Sequence, residues 1–531
     1  MRRRLAVVVP VVGLALGGGF AIPPAHARPP TRAGIVETTA FERVPCPAGV
    51  FSPARHVRCG RIHVPENRAD PGGRQITVAA AIVPARSTHP APDPIVFVEG
   101  GPSVGAIAPF SLDFYFAGAR FAFDHDVVLV DTRGTGLSRP YLGCPELDHA
   151  AVDAFYAPPT VNAQAAPILT AAVQACHDRL AARGIDLAAY TTAASAADLD
   201  DLRRALEVTR WNVLAASADG GLGLTYLRLF PAAVRSLIVD SGMSTQMQYD
   251  LDYDRGLAQE LDSIFAGCAA TPACATAYPG LRERFLRKVA QLNAHPVSIT
   301  FPDYRPHPVT LQLDGAGLYA DTLFSIFAGN RFAPSGIPFL LDTLWRQTHG
   351  ELVQTYREAF GTGPTVSDHE NAFAAQGKTL SYVCHDSLNF LTPADLAQAA
   401  LDVPPFAPRY LDPDFDLGDG FTNVVSPAAC RVWDVGRAPA VQYRPVRSSV
   451  PTLILAGEYD TGVPPYVVRQ VGAELTRSYY YEFPASGHLQ LASYNGDSDC
   501  ARDITDQFLA APAATPDSSC IATLPPVDFT P

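Results

Sequence analysis

Several features that would assign a protein to a class are missing from this 531-residue sequence. After the first 27 residues no apolar run is long enough to cross a bilayer, so stable membrane insertion is not expected. Cysteines and histidines nowhere stand at the Cys-x-x-Cys or His-x-x-x-His spacings of common zinc sites. The Gly-x-x-x-x-Gly-Lys-Ser/Thr phosphate loop and internal repeats are also absent. We therefore expect no metal and no cofactor.

Positively charged residues are also fewer than negatively charged ones. The chain has 40 lysine and arginine residues against 53 aspartate and glutamate residues, which gives a formal net charge of −13. Removal of Arg2, Arg3 and Arg4 with an N-terminal signal would bring this charge to −16. A protein of this sign is repelled by phosphate backbones, so a nucleic-acid partner is not expected.

The N-terminus has the composition of an export signal. Residues 1–27, MRRRLAVVVPVVGLALGGGFAIPPAHA, combine three arginines, an apolar stretch and a small-residue end. This pattern predicts a cleavable secretory signal, and so a secreted or periplasmic protein of bacterial type. An uncleaved anchor is the alternative, although Gly17–Gly19 and the pair Pro23 and Pro24 shorten the apolar run. The arginine cluster also leaves twin-arginine export open.

Ten cysteines lie after the predicted signal, and an even number in an exported protein indicates disulfides. The connectivity stays open at the sequence level. If neighbours along the chain pair, the bridges are Cys46–Cys59, Cys144–Cys176, Cys268–Cys274, Cys384–Cys430 and Cys500–Cys520.

Short, nearly continuous apolar segments predict buried strands. They are PIVFVEG (94–100), HDVVLVDTRG (125–134), WNVLAAS (211–217), VRSLIVDSG (234–242), VPTLILAGEYD (450–460) and SYYYEFPASG (478–487). Helical stretches separate them, which favours an α/β fold with a mostly parallel sheet covered on both faces. RIHVPEN and RQITVAAAIVPA, which precede them, predict an antiparallel pair. A capping box at Ser195–Asp198 predicts the start of the helix ADLDDLRRALEV.

The 504 residues after the signal are too many for one ordinary core. Residues 245–440 hold helical patterns such as DRGLAQELDSIFAGCA and few strand candidates, and strands resume at Pro451. We predict a core in two parts, 28–244 and 441–531, with residues 245–440 inserted before the last strands as a helical cap or lid. Substrate selection would then depend largely on this cap.

Three polar residues stand where predicted strands end: Ser217, Asp460 and His488. A serine hydroxyl is a weak nucleophile at neutral pH. It needs an imidazole to take its proton and a carboxylate to orient that imidazole. The order serine, aspartate, histidine is that of α/β-hydrolase triads. Non-catalytic roles remain as alternatives, with Ser217 and Asp460 as helix or turn caps and His488 as a surface residue.

The motif around the serine departs from the usual form. Nucleophile turns generally carry a glycine two residues before and after the serine, so that strand and helix can approach closely. Here the motif is Ala215-Ala216-Ser217-Ala218-Asp219, with neither glycine. Asp219 is the larger departure, because its charge lies near the place where negative charge develops in acyl transfer.

Three sequence blocks resemble the secreted branch of the proline iminopeptidase and tripeptidyl aminopeptidase family of α/β-hydrolases. They are VFVEGGPSVGA with VVLVDTRGTGLSRPYLGCPE, then NVLAASADGGLGLTYLRLFPAAVRSLIVDSG, then PTLILAGEYDTGVPPYVVRQV with ASGH and CARDITDQFLA. The similarity runs from about residue 40 to 525. It implies Ser217 as nucleophile, Asp460 as orienting carboxylate and His488 as general base and acid. The ungapped distance to Phe230 and Pro231 implies that Asp219 replaces a family glycine.

The family's Gly-Gly-Pro-Gly loop corresponds to Gly100-Gly101-Pro102-Ser103. Backbone amides of such a turn can bind a developing oxyanion, and Gly101 and Ala218 are the candidates. Glu99 and Asp219 are candidate contacts for a substrate ammonium, although we favour solvent or scaffold as the surroundings of Glu99. Arg133 and Asp131, in the segment DTRGTGLS, are expected to brace loops.

These observations predict an exported serine hydrolase acting on peptides or small esters. An exopeptidase that releases N-terminal residues or short peptides is the favoured function. A secreted carboxylesterase with the same triad is the first alternative, because fold and triad do not fix the leaving group. A non-catalytic binding protein on a hydrolase scaffold is the second, because the serine motif is altered.

Overall fold

The computed structural model describes residues 40–101, 103–107, 115–116, 119–156, 162–301, 309–319, 333–360, 375–407, 410, 426–492 and 498–531. The predicted signal, residues 1–27, lies outside the described residues.

The described residues form eleven strands. They are β1 Glu42–Val44, β2 Arg58–Pro65, β3 Gln75–Val83, β4 Ile95–Val98, β5 Val127–Asp131, β6 Trp211–Ala216, β7 Val234–Asp240, β8 Val297–Phe301, β9 Val309–Leu313, β10 Thr452–Gly457 and β11 Ser478–Phe483. Nine of them make one sheet in the order β1-β2-β3-β5-β4-β6-β7-β10-β11. The pairs up to β3 and β5 are antiparallel, and the rest of the sheet is parallel. The mostly parallel sheet predicted from the sequence is therefore confirmed.

Helices flank the strands. Within the described residues they are α1 Phe121–Asp124, α2 Pro145–Tyr156, α3 Asn162–Ala182, α4 Thr192–Ala205, α5 Gly220–Leu229, α6 Tyr249–Ala270, α7 Pro272–Ala277, α8 Leu281–Ala294, α9 Ala333–Arg346, α10 His349–Phe360, α11 Gln376–Asp386, α12 Pro393–Asp402, α13 Pro427–Trp433, α14 Pro465–Gln470 and α15 Ser498–Ala510. Among the described residues, none of these helices combines the length and the apolarity that a membrane crossing requires.

The central strands are apolar throughout because both faces of the sheet are covered. Every residue of β4, β5, β6 and β10 is buried. Alternate side chains enter two different hydrophobic cores: Val96 and Val98 pack into one, Ile95 and Phe97 into the other. Continuous burial of this kind is what the apolar runs predicted.

The predicted capping box at Ser195 is wrong. Helix α4 begins one turn earlier, at Thr192, and Thr191 caps it by accepting the amide of Ala194 at 3.2 Å. Asp198 cannot complete the box because its carboxylate pairs with Arg133.

The chain between β7 and β10 contains helices α6 to α13 and one small antiparallel sheet, β8 paired with β9. The sequence pattern did not predict this pair of strands. Val297, Ile299 and Phe301 of β8 are buried while the residues between them are exposed, which is the alternation of a one-sided strand.

All ten cysteines are paired with neighbours along the chain. The bridges are Cys46–Cys59, Cys144–Cys176, Cys268–Cys274, Cys384–Cys430 and Cys500–Cys520. One grouping of possible metal-binding side chains, Cys144, Glu146 and Cys176, includes such a bridge, so neither sulfur is a thiolate ligand.

Candidate active site

Ser217, His488 and Asp460 form one continuous hydrogen-bonded chain. The Nε2 atom of His488 lies 2.9 Å from the Ser217 Oγ, and its Nδ1 lies 2.8 and 2.9 Å from the two carboxylate oxygens of Asp460. Asp460 is fully buried and also accepts the amides of Gly462 and Val463 at 2.9 and 2.8 Å. These contacts fix the carboxylate, which in turn orients the imidazole for proton transfer from the serine.

The serine occupies a strained turn between β6 and α5. Ser217 has a φ of 51°, in the left-handed region that side chains other than glycine rarely adopt. Its carbonyl accepts the amide of Met243 at 2.9 Å, which ties the turn to the end of β7. Backbone strain at such a position is characteristic of functional sites, because the surroundings must hold it.

Glycines farther along the chain supply the close approach that the missing motif glycines usually allow. A β-carbon on Gly223 would lie 2.8 Å from the Ala215 Cβ, so strand and helix touch there. A β-carbon on Gly220 would lie 2.7 Å from the Gly242 Cα. The turn can therefore close with alanine at position 215, because the space is provided from α5.

The loop that carries His488 is anchored by the end of β7. Asp240 accepts the amides of Gln490 and Leu491 at 2.7 and 3.0 Å, and the Ser241 hydroxyl accepts the amide of Leu489 at 2.9 Å. Burial raises the pKa of Asp240 to about 6, against the effect of these two backbone donors. Asp240 and Ser241 were not predicted from the sequence, although a carboxylate at the end of a predicted strand is a recognisable signal.

Gly100 and Gly101 lie directly beside the serine. A β-carbon on Gly100 would stand 2.5 Å from the Ser217 Cβ and 3.0 Å from the Ala218 amide nitrogen. Gly101 has a φ of 124°, and a β-carbon there would stand 2.4 Å from Val104. At Gly100 the turn after β4 thus meets the serine turn so closely that only glycine fits.

Glu99 is buried, so the expectation that it faces solvent is wrong, while contact with the scaffold is present. Its carboxylate accepts the Tyr115 hydroxyl at 2.7 Å, and its second oxygen has no hydrogen-bond partner within the described residues. Burial raises the pKa of Glu99 to about 7, and the Tyr115 hydroxyl, the Gly100 amide and His488 oppose that rise.

Asp219 lines a small cleft next to the serine turn. The cleft is also bordered by Lys378 and Tyr382 of α11. Burial raises the pKa of Asp219 to about 8; Lys378 lowers it and Glu99 raises it further. Neither Lys378 nor Tyr382 was singled out from the sequence.

Arg133 and Asp131 brace loops, as predicted, and take no part in the triad. The Nε and Nη2 atoms of Arg133 both donate to the Asp198 carboxylate at 2.7 Å, and Nη1 donates to the carbonyl of Glu66 at 2.6 Å. Asp131 accepts the amides of Ile107 and Leu137 at 2.8 and 2.6 Å.

Comparison with known families agrees with this geometry. A family model of the alpha/beta hydrolase fold matches residues 93–296, which include Ser217. A model of TAP-like proteins matches residues 419–520, which include Asp460 and His488. The chain has the α/β-hydrolase fold.

Among curated proteins, the chain resembles the following three at modest sequence identity. The tripeptidyl aminopeptidase of Streptomyces coelicolor is 29% identical over 38% of this chain and 39% of its own. Carboxylesterase B of Mycobacterium tuberculosis is 29% identical over 42% of this chain and 44% of its own. Serine protease Hip1 of Mycobacterium tuberculosis is 27% identical over 41% of this chain and 42% of its own. The matches thus span less than half of each relative.

Proposed function

We propose that this α/β-hydrolase is a serine hydrolase that works through an acyl-enzyme. Ser217 attacks the carbonyl carbon of the substrate, and His488 accepts the serine proton at Nε2. Asp460 stabilises the imidazolium that forms. His488 then returns the proton to the leaving group. The observation that carries this proposal is the unbroken chain from Asp460 to the Ser217 Oγ on a strained turn.

The amides of Gly101 and Ala218 are the proposed donors to the oxyanion. Ala218 lies in the first turn after β6, where backbone amides have no intrahelical acceptor. The close approach of Gly100 to both Ser217 and Ala218 brings the two turns together on the same side of the nucleophile. Donors fixed in advance stabilise a developing charge without reorganisation.

An exopeptidase that releases N-terminal residues or short peptides is the substrate class we propose. Two observations support it: the TAP-like match covers the segment with Asp460 and His488, and two of the similar proteins are named as peptidases. Helices α6 to α12 precede that segment and provide chain for substrate selection.

A carboxylesterase is the second candidate, because carboxylesterase B matches a similar share of the chain. Both reactions use the same triad, and they differ in the leaving group that His488 must protonate. A non-catalytic binding protein is the third candidate, on account of the missing motif glycines. The strained φ of Ser217 and the compensating glycines of α5 argue for a working nucleophile.

A substrate panel separates these candidates. Tripeptide and single-residue p-nitroanilides with free or acetylated N-termini are assayed beside p-nitrophenyl butyrate. An exopeptidase cleaves the free-amine anilides and loses most of that activity on acetylation. Cleavage of the ester alone would replace the exopeptidase by an esterase, and no turnover of any substrate would favour the binding protein.

Export is also proposed, on the basis of residues 1–27 and the five disulfides. N-terminal sequencing of protein recovered from the medium or periplasm of a bacterial host tests it. A mature protein that begins at Arg28 is expected, whereas a chain retained in the cytoplasm with Met1 intact would reject the signal.

A further inference from the structure

The chain after α15 passes from one hydrophobic core to the other. Leu524 packs against the core that contains Phe97. Five residues later, Phe529 is buried in the core that contains Val98, where it is only 6% exposed. Residues 511–531, which we call the strap, therefore connect two separate parts of the molecule.

The first part of the strap is fixed to the sheet and to α15. The Tyr481 hydroxyl of β11 donates to the carbonyl of Pro516 at 3.0 Å. A disulfide between Cys500 and Cys520 then joins the strap covalently to α15. Two consecutive prolines at 525–526 follow, and each fixes its own φ. The chain that leads to Phe529 thus starts from a fixed point and has limited backbone freedom.

Phe529 meets α6 at a glycine. A β-carbon on Gly267 would lie 2.2 Å from the Cε2 atom and 2.8 Å from the Cζ atom of the Phe529 ring. Both distances are far shorter than the contact distance of about 3.5–4.0 Å between carbon atoms. The ring therefore lies directly against the backbone of α6, in space that any other residue at position 267 would need.

A second ring occupies the same side of α6. A β-carbon on Gly256 would lie 1.8 Å from Pro464, in the loop that follows Asp460. Gly256 and Gly267 are eleven residues apart. In an α-helix this separation is three turns plus about 20°, over a distance of about 16.5 Å. The two glycines therefore lie on one side of the helix, and Pro464 and Phe529 hold it at two places.

The position of α6 affects neighbouring elements but not the triad itself. The Tyr466 hydroxyl of α14 donates to the carbonyl of Asp252 in α6 at 3.0 Å. Arg255 of α6 donates to the carboxylate of Asp402 in α12 at 2.7 Å. The hydrogen bonds of the triad, in contrast, include no residue of α6. A turn of α6 would thus move α12 as well and leave the nucleophile and its base in place.

We propose that Phe529 is a positioning residue, which seats the strap on α6 and so holds the predicted cap in the orientation that binds substrate. A contact at Pro464 alone would not fix the direction of the helix axis, because the helix would be free to turn about that point. The contact at Gly267 removes this freedom. The effect on substrate rests on the proposed serine-hydrolase function, whereas the hold on α6 does not.

Thermal denaturation tests the contact. Gly267→Ala should lower the melting temperature, because its methyl group displaces the Phe529 ring. Gly336→Ala in α9 is the matched control, since nothing lies within 4 Å of a β-carbon there. Its melting temperature should stay unchanged or rise, because alanine favours a helix more than glycine does.

The same substitution in the Phe529→Ala background tests whether the ring is the cause. Gly267→Ala should no longer be destabilising there, and this non-additivity is expected of residues in contact. A Gly267→Ala protein as stable as Gly336→Ala would overturn the proposal, as would an equal loss with and without the ring.

Hydrogen exchange followed by mass spectrometry tests the hold on the helix. In Phe529→Ala, peptides from Tyr249–Ala270 should exchange at least about tenfold faster, while peptides from β6 stay within about twofold of wild type, because the opening is local. Phe339→Ala, which removes a ring that is 46% exposed on α9, is the control and should leave α6 unchanged. Unchanged exchange of α6 in Phe529→Ala would overturn the proposal.

Kinetics test the effect on substrate. A fluorophosphonate probe, which reacts with an activated serine, is used beside the substrate that the wild-type protein hydrolyses best. In Phe529→Ala, KM should rise at least about fivefold while kcat and the labelling rate stay within about twofold, which is the pattern of lost binding without lost chemistry. Phe529→Leu, which keeps a large apolar side chain, should recover most of the loss.

An unchanged KM, or a labelling rate that falls as much as kcat/KM, would overturn the positioning role of Phe529. Absence of any labelling in the wild-type protein, or labelling that survives Ser217→Ala, would instead reject the serine hydrolase. The exchange of α6 would then still decide whether the strap holds the helix.

Discussion

At the scale of single residues, the site depends on how closely backbone approaches Ser217. Its left-handed φ of 51° costs an ordinary residue about 1–2 kcal/mol, and packing must hold it. Gly100 forms the nearest wall, since a β-carbon there would stand 2.5 Å from the Ser217 Cβ.

Gly100→Ala should therefore displace the nucleophile and reduce fluorophosphonate labelling by at least about tenfold. Gly72→Ala is the control, because nothing lies within 4 Å of a β-carbon at Gly72. Labelling of Gly100→Ala at the wild-type rate would show that the two turns are farther apart than the structure has them.

The protonation of His488 determines how the labelling rate falls at low pH, which is the acidic limb of the pH profile. Burial alone would lower the pKa of His488, but the charge and hydrogen bond of Asp460, together with the carboxylates of Asp240 and Glu99, raise it above the ordinary value. The neutral imidazole is the base, so labelling should fall as the pH drops through this raised pKa.

In Asp460→Asn the acidic limb should move to lower pH while the maximal rate falls by orders of magnitude. The reason is that the neutral amide no longer stabilises the imidazolium. Labelling rates between pH 4 and 9 measure both effects. An acidic limb at an unchanged pH would contradict the assignment of Asp460.

At the scale of elements, α6 packs against the loop that follows Asp460. A β-carbon on Gly256 would stand 1.8 Å from Pro464, and the Tyr466 hydroxyl donates to the Asp252 carbonyl at 3.0 Å. One turn farther along α6, Glu260 is 4% exposed, and one of its oxygens lacks a partner within the described residues. Burial, and then the carboxylate of Asp460, raises the pKa of Glu260 to about 9.

Glu260 should make the fold less stable as the pH rises. Between its ordinary pKa of about 4.5 and about 9, the native protein binds one more proton than the unfolded chain. The free energy of unfolding then falls by up to about 1.4 kcal/mol per pH unit.

Glu260→Gln removes this titration, so its melting temperature relative to wild type should increase from pH 5 to pH 8.5. Glu283→Gln, at an exposed position of α8, is the control and should show no such trend. A difference in melting temperature between Glu260→Gln and wild type that does not change with pH would show that the Glu260 carboxyl is exposed to water.

The helices and strands that were predicted from the sequence have one property in common. The pattern that predicts each of them lies in residues that are adjacent along the chain. Apolar runs gave β4, β5, β6, β7, β10 and β11, and the residues at or after their ends gave Ser217, Asp460 and His488. The buried position of Lys378 could not be found this way, because its Nζ donates to Tyr190 and Ser195, which lie 188 and 183 positions earlier in the chain. The predicted start of α4 was wrong for a different reason, since Thr191 caps the helix four residues before Ser195.

At the scale of the whole molecule, the five disulfides close loops of very different length. Cys384–Cys430 has a separation of 46 residues and joins α11, which carries Lys378, to α13. Cys268–Cys274 has a separation of 6 residues. Loop-closure entropy gives about 4 kcal/mol for the longer bridge and about 2 kcal/mol for the shorter one.

Replacing Cys384 and Cys430 by alanine should therefore lower the melting temperature more than the same change at Cys268 and Cys274. It should also slow labelling, since α11 borders the cleft beside Ser217. Thermal melts of both variants under non-reducing conditions provide the comparison. Equal losses would show that loop length does not determine the stabilisation.

The central claim is that Ser217 is the nucleophile of a working triad. Its most direct test is intact-protein mass spectrometry after reaction with a fluorophosphonate, for the wild-type protein and for Ser217→Ala with its fold checked by circular dichroism. We predict one adduct per wild-type chain, mapped to Ser217, and none in Ser217→Ala. An unlabelled wild-type protein, or an adduct of equal stoichiometry in Ser217→Ala, would contradict the account.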